Sequence, residues 1–187
     1  MARTVGIGLQ NFEKVITRQC LYIDKTSFIK EWWESGDDVT LIARPRRFGK
    51  TLNMSMVEQF FSVQYANRGD LFEGLSIWKE EAYRQRQGTY PVISLSFANV
   101  KERDYPSVKE KICRIITELY MQNVFLRECD WMTAQERDFF DSVRPDMSEV
   151  VAAMAIYKLC DYLCRYYGKK VIVLLDEYDT PMQEAYV

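Results

Sequence analysis

The chain has 187 residues, 48% of them hydrophobic and 14% aromatic, with 28% charged and a formal net charge of −2. That length suits one domain with a real core, and the apolar content together with only 8 Gly and 5 Pro excludes disordered, low-complexity and collagen-like chains. A pI near 5.4 argues against nucleic-acid binding by bulk positive charge, though it leaves room for a local basic site.

No apolar segment of the secretory kind follows Met1-Ala2-Arg3. The longest strongly aliphatic run, 171–175, falls far short of the roughly 20 residues that span a bilayer. A cytoplasmic protein with no membrane partner is the expectation. An amphipathic stretch over 26–33 predicts a short helix. The compact β-rich run 39–43 (VTLIA) predicts a buried strand, and 50–63 a helix with Leu52, Met56, Phe60 and Val63 on one face. A second strand is predicted over 91–97, where Pro91 is tolerable only at the start. Helical spacing continues through 107–126. Thr133 and Glu136 form a capping-box pattern, and Ser148 and Gly168 bracket a long amphipathic helix over 148–167. The third strand, 171–176, is aliphatic throughout, which predicts a central position covered on both faces. Thr180-Pro181 then opens another helix. No repeat or linker divides the chain, and strands alternating with helices predict one α/β domain over 1–187 built on a parallel sheet.

Five cysteines (Cys20, Cys113, Cys129, Cys160 and Cys164) include no CxxC pair, and there is no histidine. A zinc site would need Cys160 and Cys164 plus distant partners, so free thiols in a reducing compartment are the expected state. The lack of histidine removes Ser-His and Cys-His nucleophiles and leaves carboxylates, lysine or a metal to do any catalysis.

Two motifs point to such chemistry. In the first, the run 39–43 feeds Arg44-Pro-Arg-Arg-Phe-Gly-Lys-Thr51, which opens a helix, the context of a phosphate-binding loop or Walker A motif. Gly49 lets the backbone approach a phosphate, amides of the loop and first helical turn donate to its oxygens, Lys50 reaches the phosphates as a point charge, and the Thr51 hydroxyl can ligate Mg²⁺. Arg46 and Arg47 can add charge-assisted contacts. The usual first glycine of such a loop is replaced by Arg44. A solvated basic turn beside a chance Gly-Lys-Thr is the competing reading. In the second motif, Val171-Ile-Val-Leu-Leu-Asp-Glu177, an aliphatic strand ends in two carboxylates, the Walker B form. Asp176 would hold Mg²⁺ and Glu177 would activate the attacking water. Alone it reads as a buried strand ending at solvent. With the first motif it supplies the metal ligand and the base to a phosphate cradle.

On these residues, with Tyr22-Ile-Asp-Lys-Thr26, Leu71-Phe-Glu-Gly-Leu75 and Asp176-Glu-Tyr-Asp-Thr-Pro181, most of the chain resembles the predicted AAA-ATPase-like proteins, P-loop NTPases of the extended AAA group. The resemblance implies a three-layer α/β/α fold with ATP and Mg²⁺ as cofactors. It implies nucleotide contacts from Arg46, Arg47, Phe48, Gly49, Lys50, Thr51 and Leu52, metal ligation by Thr51 and Asp176, and catalysis by Lys50 and Glu177. For 22–26 it raises adenine contact, against a packing role for Tyr22 and a salt bridge at Asp24 or Lys25. It also implies a sheet ordered 5-1-4-3-2, whose fourth strand would follow Val187. The expectation is therefore a fragment, truncated after the Walker B strand and weak as an ATPase alone. A nuclease-like C-terminal domain, frequent in the family, is not among these residues. Mg²⁺-dependent ATP hydrolysis leads. A nucleotide-binding switch or scaffold for a protein partner is the alternative, and a nucleic-acid-processing accessory is a third reading by family context alone.

Overall fold

The computed structural model describes residues 4–43 and 48–185. It is a mixed α/β structure, 55% helix with a small parallel two-stranded sheet, and the chain divides into two compact units, Met1–Val92 and Ile93–Val187.

The first unit is built from α1 (Phe12–Thr17), α2 (Ser27–Ser35), α3 (Lys50–Phe61) and α4 (Glu81–Arg84), joined by short 3₁₀ turns such as Gly69–Phe72 and Ser76–Lys79. Aromatic rings pack together in its core, alongside buried Ile29, Met56, Leu71 and Ile77. Phe12 stacks on Phe72 with centroids 5.1 Å apart, Phe60 meets Phe61 and Phe72 edge-on at 5.0 Å, and Trp33 stacks on Phe61 at 5.4 Å. Each such pair contributes about 0.5–1.5 kcal/mol beyond its buried area, so the C-terminal turn of α3 holds α1 and α2 in place. α3 stops at Phe61 rather than 63 because Ser62 turns extended (φ −65°, ψ 132°) and bridges to Tyr90.

One expected element is missing. Residues 39–43 have no strand, and Val39 (87%) and Leu41 (68%) are largely exposed. β-rich composition favours a strand only where a neighbouring strand takes its hydrogen bonds. Among the described residues no strand pairs with this run. The strand–loop–helix context inferred for the first motif therefore has its helix but not its strand.

The second unit holds α5 (Tyr105–Gln122), α6 (Ala134–Ser142), α7 (Glu149–Tyr167), α8 (Thr180–Ala185) and the two strands, β1 (Val92–Ser96), which starts at the boundary, and β2 (Ile172–Asp176). Helices α5, α6 and α7 start on side-chain caps. Asp104 accepts from Ser107 N, Ser148 from Val151 N, and Thr133 and Glu136 make the reciprocal capping box. α5 ends at Gln122, four residues before the periodicity does, because Asn123 leaves the helical region and its side-chain amide bonds Leu119 O at 2.8 Å. Ile93 and Leu95 of β1 pack into one core with Ile116 and Tyr120 of α5, Phe140 of α6, and Leu159 and Tyr162 of α7. The second and third sequence-predicted strands lie side by side, and Phe97 N donates to Asp176 O at 3.0 Å where they end. β2 is not covered on both faces: Ile172 and Asp176 are buried, but Val173 (45%) and Leu175 (42%) are exposed. With β1 its only sheet neighbour among the described residues, β2 alternates as a half-covered strand does.

Candidate functional site

The start of α3 carries most of the first motif. Arg46 and Arg47 lie outside the described residues, as does Arg44. Phe48 is exposed, and Gly49 is the N-cap in the left-handed region (φ 78°), where a side chain would cost about 1–2 kcal/mol. That glycine reverses the chain into the helix, and its carbonyl accepts from Asn53 N at 2.9 Å. Gly49 has no side chain with which to cap this helix, unlike the N-cap residues of α5, α6 and α7. Lys50, Thr51 and Leu52 form its half-buried first turn. A helix start whose N-cap residue has no side chain, at the positive end of the helix dipole, is an arrangement that a phosphate can satisfy.

Beside it, in the same unit, lies a cavity of about 200 Å³ walled by Gly6, Leu9 and Val15, by residues 20–23 and Lys25, and by Gly49, Leu52 and Asn53. Its walls are mainly apolar. Sites for drug-sized ligands span about 300–1,000 Å³, so this one fits a single ring system with the rest of a ligand outside.

The 22–26 segment is braced against that unit. The Tyr22 ring meets Phe12 edge-on at 5.4 Å, and its hydroxyl, pushed up to about 12 by burial, donates to Met56 Sδ at 3.3 Å. Asp24 accepts from Thr26 N (2.9 Å) and Oγ1 (2.7 Å) and from Ser76 N (2.7 Å) and Oγ (2.6 Å). Burial raises its pKa, but the bonds from Ser76 and Thr26 outweigh this and leave it below the usual carboxylate range. Fully buried Thr26 in turn accepts from Ile77 N at 3.1 Å. So Tyr22 has the packing role raised for it, and Asp24 is hydrogen-bonded, with no ion pair among the described residues.

The second motif sits where β2 ends in the second unit. Asp176 is buried and its Oδ1 accepts from Glu177 N at 3.1 Å. Glu177 is in the left-handed region at φ 52°, one of two such non-glycine residues among those described. A non-glycine residue there costs about 1–3 kcal/mol, and such residues cluster at functional sites. The turn closes as Thr180 N donates to Glu177 O at 3.1 Å and Thr180 Oγ1 to Glu177 Oε2 at 3.5 Å. Both acids thus lie at the carboxyl edge of a parallel sheet, where α/β proteins bind ligands.

The fold brings Gly49, Lys50, Thr51 and Leu52 together on one helix start in the first unit, and Asp176 and Glu177 on one turn in the second. The cavity, and the place of Lys25 on its wall, were not legible. Tyr22-Ile-Asp-Lys-Thr26 marked the segment, but nothing in the spacing says that it folds back against Gly49. Among the described residues no group of three or more Cys, Asp and Glu is placed to hold a metal ion, and all five cysteines are free thiols. A hydroxyl and a carboxylate suit Mg²⁺, which takes one or two protein oxygens and completes its shell with phosphates and water. Among the described residues no helix is long and apolar enough to cross a membrane.

A family model described as "Predicted AAA-ATPase" matches residues 6–187. An uncharacterized protein in the vnfD 5′ region of Azotobacter chroococcum mcd 1 is 29% identical over 181 residues, which cover 96% of this chain and 30% of that protein. The chain thus spans under a third of the length of the curated relative it matches. No solved structure matches it.

Proposed function

This chain belongs to the predicted AAA-ATPase family, and from that premise we propose that it supplies the phosphate-binding part and the catalytic acids of a Mg²⁺-dependent ATPase. The observation that carries the reading is the start of α3. A left-handed Gly49, itself without a side chain to cap the helix, delivers Lys50 and Thr51 onto its first turn, beside a cavity sized for one ring system. In this reading the cavity seats the base. The phosphates meet the amides of the first turn and the Lys50 ammonium, with Arg46, Arg47, Phe48 and Leu52 as the remaining contacts of the loop. Thr51 and Asp176 hold Mg²⁺, which would neutralise charge on the phosphates. Glu177 orients the attacking water and takes its proton. The order of the two motifs along the chain and the family membership support joining these residues in one site, and the same reading takes the complete fold to be the three-layer α/β/α of P-loop NTPases.

Single-turnover hydrolysis of radiolabelled ATP by the intact protein tests this. Replacing Glu177 by Gln should leave ATP binding in place and slow cleavage by about 10²–10⁴-fold, the worth of a positioned base. Binding without cleavage in the unaltered protein would favour the switch or scaffold instead, and undiminished cleavage in Glu177→Gln would remove this residue from the mechanism.

A further inference from the structure

Lys25 stands at the end of the loop, although it is far from the loop in sequence. Its Nζ lies 4.0 Å from the point that a Cβ on Gly49 would occupy, and the residue forms part of the cavity wall that Gly49, Leu52 and Asn53 share. Lys25 is half-buried, and among the described residues no carboxylate pairs with it. The backbone that presents it is held on both sides. Its own N–H donates to Tyr22 Oη at 3.4 Å, and the flanking Asp24 and Thr26 are fixed to Ser76 and Ile77 by Asp24's carboxylate and Thr26's hydroxyl. An ammonium on a long stem loses side-chain entropy when it is fixed near a loop, so such a lysine normally turns out to water unless something compensates. Here a braced turn aims it at the residue preceding Lys50.

We propose that Lys25 is a further phosphate-binding cation of the nucleotide site, contacting the phosphate chain where it leaves the cavity for the start of α3. The proposal rests on the ATP-binding reading. It assigns to 22–26 a charge contact rather than a base contact: Tyr22 and Asp24 position the turn, and Lys25 touches the ligand. It also gives the loop a cation from outside its own sequence, in a chain where Arg44 replaces the usual first glycine.

The test is equilibrium binding of Mg·ATP, ADP and adenosine to the intact protein and to Lys25→Met, Lys25→Arg and Lys50→Ala. Lys25→Met should weaken both ATP and ADP about tenfold, the scale of one charge-assisted contact, and leave adenosine unchanged, while Lys25→Arg keeps most of the affinity. Unchanged ATP and ADP affinity in Lys25→Met, with binding lost in Lys50→Ala, overturns the role of Lys25 and leaves the ATP site standing. No ATP binding by the unaltered protein overturns both. Acylation of the unaltered protein with an amine-reactive reagent, read by peptide mass spectrometry, avoids any folding defect of a variant. ATP should protect Lys25 and adenosine should not, and equal labelling of Lys25 with and without ATP contradicts the proposal.

Discussion

Met1–Val92 fills its core with stacked and edge-on rings carried by short helices and 3₁₀ turns, whereas Ile93–Val187 fills its core from the inner faces of long capped helices laid on strands. The contrast shows in the bonds that start the long helices of the second unit and in those that brace the loops and short helices of the first. In the second unit the caps are local: Asp104, Thr133, Glu136 and Ser148 each act within one turn of their own helix. In the first unit the anchors reach far along the chain, Asp24 to Ser76, Phe12 N to Ser55, and Gly88 N to Phe60 O. Long-range anchors can hold a left-handed Gly49 and an inward Lys25 beside a cavity. Local caps fix the helix starts and leave the two acids of the second motif at the end of a strand.

Two glycines at nearly the same φ, one in each unit, put this difference to the test. A Cβ on Gly88 (φ 66°) would sit 2.2 Å from Ala66 Cα, whereas one on Gly168 (φ 65°), which ends α7, meets nothing within 4 Å. Gly88→Ala should therefore destabilise the protein by about 2–5 kcal/mol, through backbone strain and a collision that only main-chain movement relieves. Gly168→Ala should cost only about 1 kcal/mol, the strain alone. Chemical denaturation of both variants measures this, and equal losses would mean that the first unit does not depend on close backbone approach.

Acid offers a smaller probe of the second unit. The hydrogen bond from Arg165, with help from Thr133 N, lowers the Glu136 pKa from 4.5 to about 2. Since the folded value lies below the unfolded one, the stability contributed by ionised Glu136 is complete above pH 4.5 and is lost as pH falls through about 2. Thermal melts should show Glu136→Gln less stable than the unaltered protein at pH 6, with the gap closing toward pH 2. A gap that stays constant over that range would show that the carboxylate's charge is not what secures α6.

The same contrast explains what could be read from the sequence. The helix starts at Asp104, Thr133 and Ser148 depend on side chains within a few residues, so the start of α6 and both ends of α7 were legible; α2, read as 26–33, runs from Ser27 to Ser35. Run 39–43 misled because strand formation depends on a partner that the segment itself does not encode. The overlong reading of α5 has a different cause: apolar periodicity continues past Asn123, while the backbone turns there. At the candidate site, Gly49, Lys50, Thr51, Asp176 and Glu177 stood out by motif, but the left-handed φ of Glu177 and the approach of Lys25 to Gly49 are tertiary facts.

Everything proposed for the site turns on phosphate binding at the start of α3. Its most direct measurement is equilibrium binding of Mg·ATP to the intact protein and to Lys50→Ala, with circular dichroism confirming that the variant is folded. Saturable binding by the former and none detectable by a folded Lys50→Ala are the expected results. Equal affinity in the two would contradict phosphate binding at the start of α3.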